Sequence, residues 1–225
     1  MQIDSIGEKN LEAYLAGFIA GDGHLEPETN RTVLGSGDPQ YAELLSMLLE
    51  SLDYRTSKFY DRGGKQWKVA VRSEKLQSLL VGKYGIPKGA KSRSLSAPSI
   101  PEEESVFFVS GVFDAEGWYE MDKGRYIRLR LKMISEKMTS FIYYTLRNMR
   151  YDAKYHKRTD GSTVVEINRQ AYVKKFLKHF MLLHPKWTPL YEALGEAEAP
   201  NPPGYTRPTL PSTTGLQLRK EKLIP

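Results

Sequence analysis

The chain has 225 residues, 40% apolar and 27% charged, the balance of an ordinary globular protein long enough to bury a sizeable core. It carries a formal charge of +6 and a pI near 9.3, which permits an anionic partner without demanding one. Cysteine is absent, which excludes disulfides, cysteine nucleophiles and thiolate-bound zinc, and no apolar run is long enough to suggest a membrane span.

Met1-Gln2-Ile3-Asp4 has no basic segment leading into an apolar stretch, so the chain is expected in the cytoplasm, with organellar expression left open. The first strong signal is the small-residue helix Leu15-Ala16-Gly17-Phe18-Ile19-Ala20-Gly21-Asp22-Gly23, which ends in an acid followed by glycine. A polar stretch then runs to about Pro39, with Pro27 and little alternation between His24 and Leu34. A helix is predicted from Tyr41 to Glu50. Strands are predicted from Tyr54 to Tyr60 and from Gln66 to Arg72 around an Asp61-Arg62-Gly63-Gly64 turn, and another helix from Glu74 to about Val81.

Gly, Pro and Ser mark a connector from Lys83 through Pro101. Then Val109-Ser110-Gly111-Val112-Phe113-Asp114-Ala115-Glu116-Gly117 repeats the first motif, again with an acid and then glycine. The order after it repeats too: a strand at Tyr126–Met133, a helix at Ser135–Arg150, strands at Tyr151–Arg158 and Thr163–Asn168, and a helix from Ala171 to about Met181. Tyr54 matches Tyr151, and Gly64 matches Gly161, at one common spacing. Eight of the thirteen prolines fall at or after Pro185, which predicts a tail without long helices or central strands. The expected layout is an N-terminal half (1–82), a connector (83–102), a C-terminal half (103–182) and a Pro-rich tail (183–225), either draped over the second half or partly disordered.

Small residues paired at i, i+4 let two helix backbones approach closely. Ala16, Gly17, Ala20 and Gly21 supply them in the first motif, and Ser110, Gly111, Asp114 and Ala115 in the second. Gly23 and Gly117 are expected to end their helices in a left-handed conformation. An acid at a helix C-terminus faces the negative end of the dipole, and two such acids brought together repel each other. A divalent cation would relieve that repulsion, using Asp22, Glu116 and nearby carbonyl oxygens as hard ligands.

Together these segments resemble the signature of the LAGLIDADG homing endonucleases, in the single-chain form that carries two motifs, over roughly residues 11 to 182. The resemblance implies an α+β fold of two pseudo-symmetric αββαββα halves, with saddle-shaped antiparallel sheets and the motif helices packed at the central interface. It also implies a monomer that uses Mg²⁺, with Mn²⁺ or Ca²⁺ able to substitute in binding. Such an enzyme hydrolyses both strands of a long double-stranded DNA target and leaves four-nucleotide 3′ overhangs. Asp22 and Glu116 match the metal-binding acids, with the carbonyls of Ala20, Gly21 and Ala115 as further ligands. Lys91 and Lys132 are candidates for a basic catalytic contribution. The Lys88-Gly89-Ala90-Lys91-Ser92 connector is similar to basic linkers of archaeal members, and the resemblance implies an intron-encoded element, with an intein or a free-standing gene as the alternatives. The sixth motif position, often acidic, is Asp114 in one copy and Ala20 in the other.

Tyr126-Ile127-Arg128-Leu129-Arg130-Leu131-Lys132-Met133 alternates cations with apolar residues, as a strand facing both a core and phosphates would. Lys68 and Arg72, and Lys154, His156 and Arg158, alternate similarly, so these join Arg128, Arg130 and Lys132 as expected DNA contacts. A solvated strand face explains the same pattern. Two other functions fit the scaffold: an RNA-binding maturase acting on an intron, and a DNA-binding regulator without catalysis. Lys88–Ser92 lacks the Gly-Lys-Ser/Thr of a phosphate-binding loop, and the four histidines have no zinc spacing.

Overall fold

In the computed structural model, residues 6–122 and 126–195 are described. The Pro-rich stretch from 196 to 225 lies outside them. Each half reads helix, hairpin, helix, hairpin, helix. The first consists of α1 (Glu8–Asp22), β1 (Gly23–Leu25), β2 (Arg31–Ser36), α2 (Pro39–Glu50), β3 (Thr56–Asp61), β4 (Gln66–Arg72) and α3 (Glu74–Gly82). The second consists of α4 (Glu102–Glu116), β5 (Gly117–Asp122), β6 (Tyr126–Met133), α5 (Glu136–Asn148), β7 (Ala153–Lys157), β8 (Thr163–Ile167) and α6 (Gln170–His179). A 3₁₀ turn (Pro185–Trp187) and α7 (Thr188–Ala193) follow. The strands form two antiparallel sheets of four, ordered β1-β2-β4-β3 and β5-β6-β8-β7. The stretch between His24 and Leu34, polar and ambiguous in sequence, is a hairpin whose first strand has only three residues.

Helix starts follow from local chemistry. Asp38 Oδ1 accepts from the N–H groups of Gln40 (2.8 Å) and Tyr41 (3.0 Å), with Pro39 in the first turn of α2. Ser73 and Ser135 cap α3 and α5 in the same way. The motif helices α1 and α4 have no side-chain cap. They are buried on nearly every side, so packing rather than capping fixes them.

That packing rests on three glycines. A Cβ at Gly17 would overlap the Phe108 carbonyl oxygen, and one at Gly111 would overlap the Tyr14 carbonyl oxygen. A Cβ at Gly21 would overlap the Ala115 methyl. Gly17, Gly21, Gly111 and Ala115 are therefore the contact between the two backbones. Ala16 and Ala20 are buried in the same core, whereas Ser110 and Asp114 bond to the segment after α6.

Gly23 and Gly117 are not left-handed. Both are extended, at φ −92° and −79°, and open the first strand of each sheet. Glycine is required there because a Cβ would lie 2.6 Å from Ile19 Cγ2 or from the Phe113 carbonyl oxygen.

The connector spans the helix pair from end to end. Near the helix starts, Lys83 Nζ bonds Glu12 of α1 (3.0 Å) and Glu104 of α4 (2.8 Å), and the Tyr84 hydroxyl donates to Glu12 (2.8 Å). Near the helix ends, Lys91 reaches the last turn of α1. One segment thus joins both motif helices near their starts and holds α1 again at its end.

Candidate functional site

Asp22 and Glu116 are the last residues of α1 and α4, and the close approach of Gly21 to Ala115 brings them together. Glu116 Cγ lies 3.0 Å from where a Gly21 Cβ would be. Burial pushes the Asp22 carboxyl above its ordinary range. Burial does the same to Glu116, and the charge of Asp22 pushes it further. Their ionised forms are therefore unfavourable in the fold, even with the nearby lysines opposing the shift.

Two half-buried lysines close the helix ends. Lys91 Nζ donates to the carbonyls of Ile19 (2.6 Å), Ala20 (2.9 Å) and Gly21. Lys186 Nζ donates to those of Asp114 (2.6 Å) and Ala115 (3.3 Å). A cation at a helix C-terminus satisfies unpaired carbonyls and meets the negative end of the dipole. Burial pulls Lys91 down to about 8 and lowers Lys186 as well, against the attraction of Asp22 and Glu116. The carbonyls of Ala20, Gly21 and Ala115, expected as metal ligands, are thus engaged by ammonium groups. Among the described residues, no three His, Cys, Asp or Glu side chains converge, which leaves the two carboxylates as the anionic donor set. A cleft of about 250 Å³ beside them is lined by Ala20, Gly21, Lys91, Glu116 and Lys132.

Lys186 escaped the sequence reading. A Pro-Lys pair follows the third helix of each half, at Pro87-Lys88 and Pro185-Lys186, and is the one signal that could have flagged it. In the first half, however, it is Lys91 rather than Lys88 that reaches the helix end. Asp114 holds Lys186 in place. Its buried carboxylate accepts from the Tyr14 hydroxyl (2.6 Å), the Leu183 and His184 N–H groups (2.7 and 3.1 Å) and Trp187 Nε1 (2.6 Å). Ser110 Oγ accepts from the Met181 N–H (2.9 Å). The segment 181–187 is therefore fastened along α4, and Trp187 and Leu190 are fully buried in the core.

On the open sheet faces, the expected cations are present but mostly engaged. Arg130 is forked between Glu166 and Glu120 (2.6 Å to the latter), and Lys132 meets Asp160 (2.8 Å). Lys154 and His156 are exposed on β7, and Arg128 lies on β6. Arg158 lies in the turn beyond β7. Together Trp118, Glu120, Arg130, His156, Arg158 and Glu166 line a hollow of about 550 Å³. In the first half, Lys68 and Arg72 share one face of β4, while Trp67, Val69 and Val71 face the helices.

These features define a LAGLIDADG-like fold: two αββαββα halves around a pair of small-residue helices whose acids meet. Full-length DUF199/WhiA from Thermatoga maritima is similar in structure, with a TM-score of 0.61 and 14% identity over 85% of this chain and 62% of that one. The chain thus spans less than two thirds of that protein's length. The homing endonuclease I-DmoI is also similar. Its mesophilic variants match at a TM-score of 0.58 and 19% identity, over 83% of this chain and 100% of that one. The I-DmoI complex with DNA and Mn matches at 0.55 and 20%, over 77% and 97%. No family model and no curated relative matches the sequence. Among the described residues, no helix is long and apolar enough to cross a membrane.

Proposed function

We propose that the protein is a Mg²⁺-dependent, site-specific DNA endonuclease that cuts both strands of a long duplex laid along the open faces of its two sheets. One observation carries this: each half delivers the last acid of its motif helix to the same point, where Asp22 and Glu116 repel each other and a divalent cation would relieve that repulsion. The residues fit such an ion, because Mg²⁺ takes one or two carboxylates and completes its shell with water and phosphate oxygens. Held by Asp22 and Glu116, it supplies activation of an attacking water and neutralisation of the departing 3′ oxygen.

The chain's own groups do the rest. Lys91 and Lys186 offset the two carboxylate charges, so an anionic phosphate approaches a site close to neutral. Water adds to phosphorus as the bond to the 3′ oxygen breaks, leaving a 3′ hydroxyl and a 5′ phosphate. Cations on both sheets position the backbone. Both acids come from one chain, so a monomer suffices, and cuts staggered by four nucleotides place one scissile phosphate on each strand.

A binding-only role is the second reading, favoured by the lysine ammonium groups on the helix-end carbonyls and by the likeness to WhiA. The test is incubation with a randomised duplex library and Mg²⁺, followed by sequencing of bound and cut molecules. The endonuclease reading predicts paired, staggered cuts within one recurring sequence. A recurring bound sequence with no cut ends would establish the binding-only role instead.

A further inference from the structure

An antiparallel sheet with one open face ordinarily turns apolar residues toward the core and polar ones toward solvent. The first sheet breaks this rule at its centre. His24, Val33, Ala70 and Ser57 pair in one row across β1, β2, β4 and β3. The neighbouring pair, Leu34 with Val69, is fully buried, so side-chain alternation turns the Val33–Ala70 row to the open face. The matched row of the second sheet is Trp118, Arg130, Glu166 and Lys154. The match holds because Leu34 and Leu131 stand opposite Gly23 and Gly117, which open β1 and β5. Where the second half carries a bonded Arg130–Glu166 pair, the first carries a valine beside an alanine.

Phe59 widens this apolar island. It stands opposite Lys68, two residues from Ala70 along β4, so it shares the open face, and it is 39% exposed. The Arg31 guanidinium lies over its ring, 5.3 Å from the centre, and also bonds Glu26 (3.0 Å). Arg31 and Phe59 come from β2 and β3, which flank β4, so they meet across the strand that carries Ala70. None of Val33, Ala70 and Phe59 belongs to the core beneath the sheet. Arg31, Lys68 and Arg72 rim the island with positive charge on the same face. Cations at the rim suit phosphates. At the centre, the apolar group that base pairs offer in the major groove is the thymine C5 methyl, which alanine and phenylalanine side chains contact well.

We propose that Val33, Ala70 and Phe59 determine specificity by contacting thymine methyls, which makes the target chemically asymmetric. Its half under the first sheet is set by thymines. Its half under the second is set by G·C pairs at the matched place, where Arg130 donates to guanine and Glu166 accepts from cytosine N4. This deepens the reading above by naming the sequence class of the substrate, and it rests on the duplex-binding part of that reading alone.

The test is selection of bound duplexes from a randomised library by the full chain with Ca²⁺, scored without regard to cutting. One half-site should be fixed by thymines and the other by G·C pairs. Replacing the fixed thymines with deoxyuridine removes only the methyls and leaves the protein untouched, so this arm stands even where a variant fails to fold. Each replacement should weaken wild-type binding roughly fourfold, the worth of about one buried methylene. Val33→Ser with Phe59→Ser should bind the thymine and deoxyuridine duplexes equally. Val33→Arg with Ala70→Glu copies the second half's row into the first and should turn selection in that half-site from thymine to G·C, with the other half-site unchanged. Wild-type binding that ignores deoxyuridine would overturn the proposal, as would serine variants that still prefer thymine. A duplex selected with these features yet never cut with Mg²⁺ would overturn the endonuclease reading and leave the methyl contacts standing. If no sequence is selected at all, both fall.

Discussion

Asp22→Asn should abolish double-strand cutting, by a factor on the order of a thousand or more, while leaving selection of the bound sequence unchanged. The amide keeps the side chain's shape and removes only the charge that would hold a cation, so binding through the sheets survives. The same substitution should stabilise the protein in the absence of metal and DNA. Burial raises the folded-state pKa of Asp22 above its unfolded value, so at neutral pH the folded state bears an ionisation penalty. Removing the carboxylate lifts that penalty, so the variant should melt at a higher temperature than the wild type at pH 7. The gain should shrink as pH falls through the raised pKa and vanish below the unfolded one, where both states are protonated. Thermal melts at pH 7 and at about pH 3, alongside a cleavage assay, check both halves of the expectation.

The second large effect concerns the contact between the helices. Gly111→Val places a side chain within the Tyr14 carbonyl oxygen, with the Phe18 amide nitrogen 2.7 Å from the new Cβ. Both obstacles are backbone, so no rotamer change relieves the overlap, and α1 and α4 must separate. The loss should be about 4 kcal/mol or more, a large share of a typical folding free energy of roughly 5–15 kcal/mol. A Cβ at Gly82 meets nothing within 4 Å, so Gly82→Ala serves as the control and should be neutral or mildly stabilising. Denaturant midpoints of the two variants, at unchanged slope, separate a packing fault from a general intolerance of glycine replacement. A Gly111→Val chain as stable as the control would show that the helices do not meet as described.

The duplicated motif made the acid pair and the helix contact legible in sequence, because small residues at i, i+4 and an acid before glycine have few other joint explanations. The strands were legible where alternation was long, as in Tyr126–Met133. The hairpin after α1 was obscured by Pro27 and by the brevity of β1. The motif-end glycines were anticipated for the wrong physical reason: their extended backbone suits many residues, and the constraint is space against Ile19 and Phe113. Lys186 was hidden because its contact with α4 spans 71 and 72 residues of sequence and runs through Asp114, a side chain whose partners no local pattern reveals. The acids that engage Arg130 and Lys132 were hidden likewise, since Glu166 and Asp160 meet them only through strand register and the turn after β7.

The proposed cleavage depends on Asp22 and Glu116 together taking up one divalent cation at the meeting of the two halves. Manganese titration of the protein on its selected duplex, followed by electron paramagnetic resonance of the free ion, reads this most directly. Wild type should remove manganese beyond what the duplex alone binds, and the Asp22→Asn/Glu116→Gln double variant should lose that excess while still bound to DNA. Equal uptake by both proteins would contradict the account.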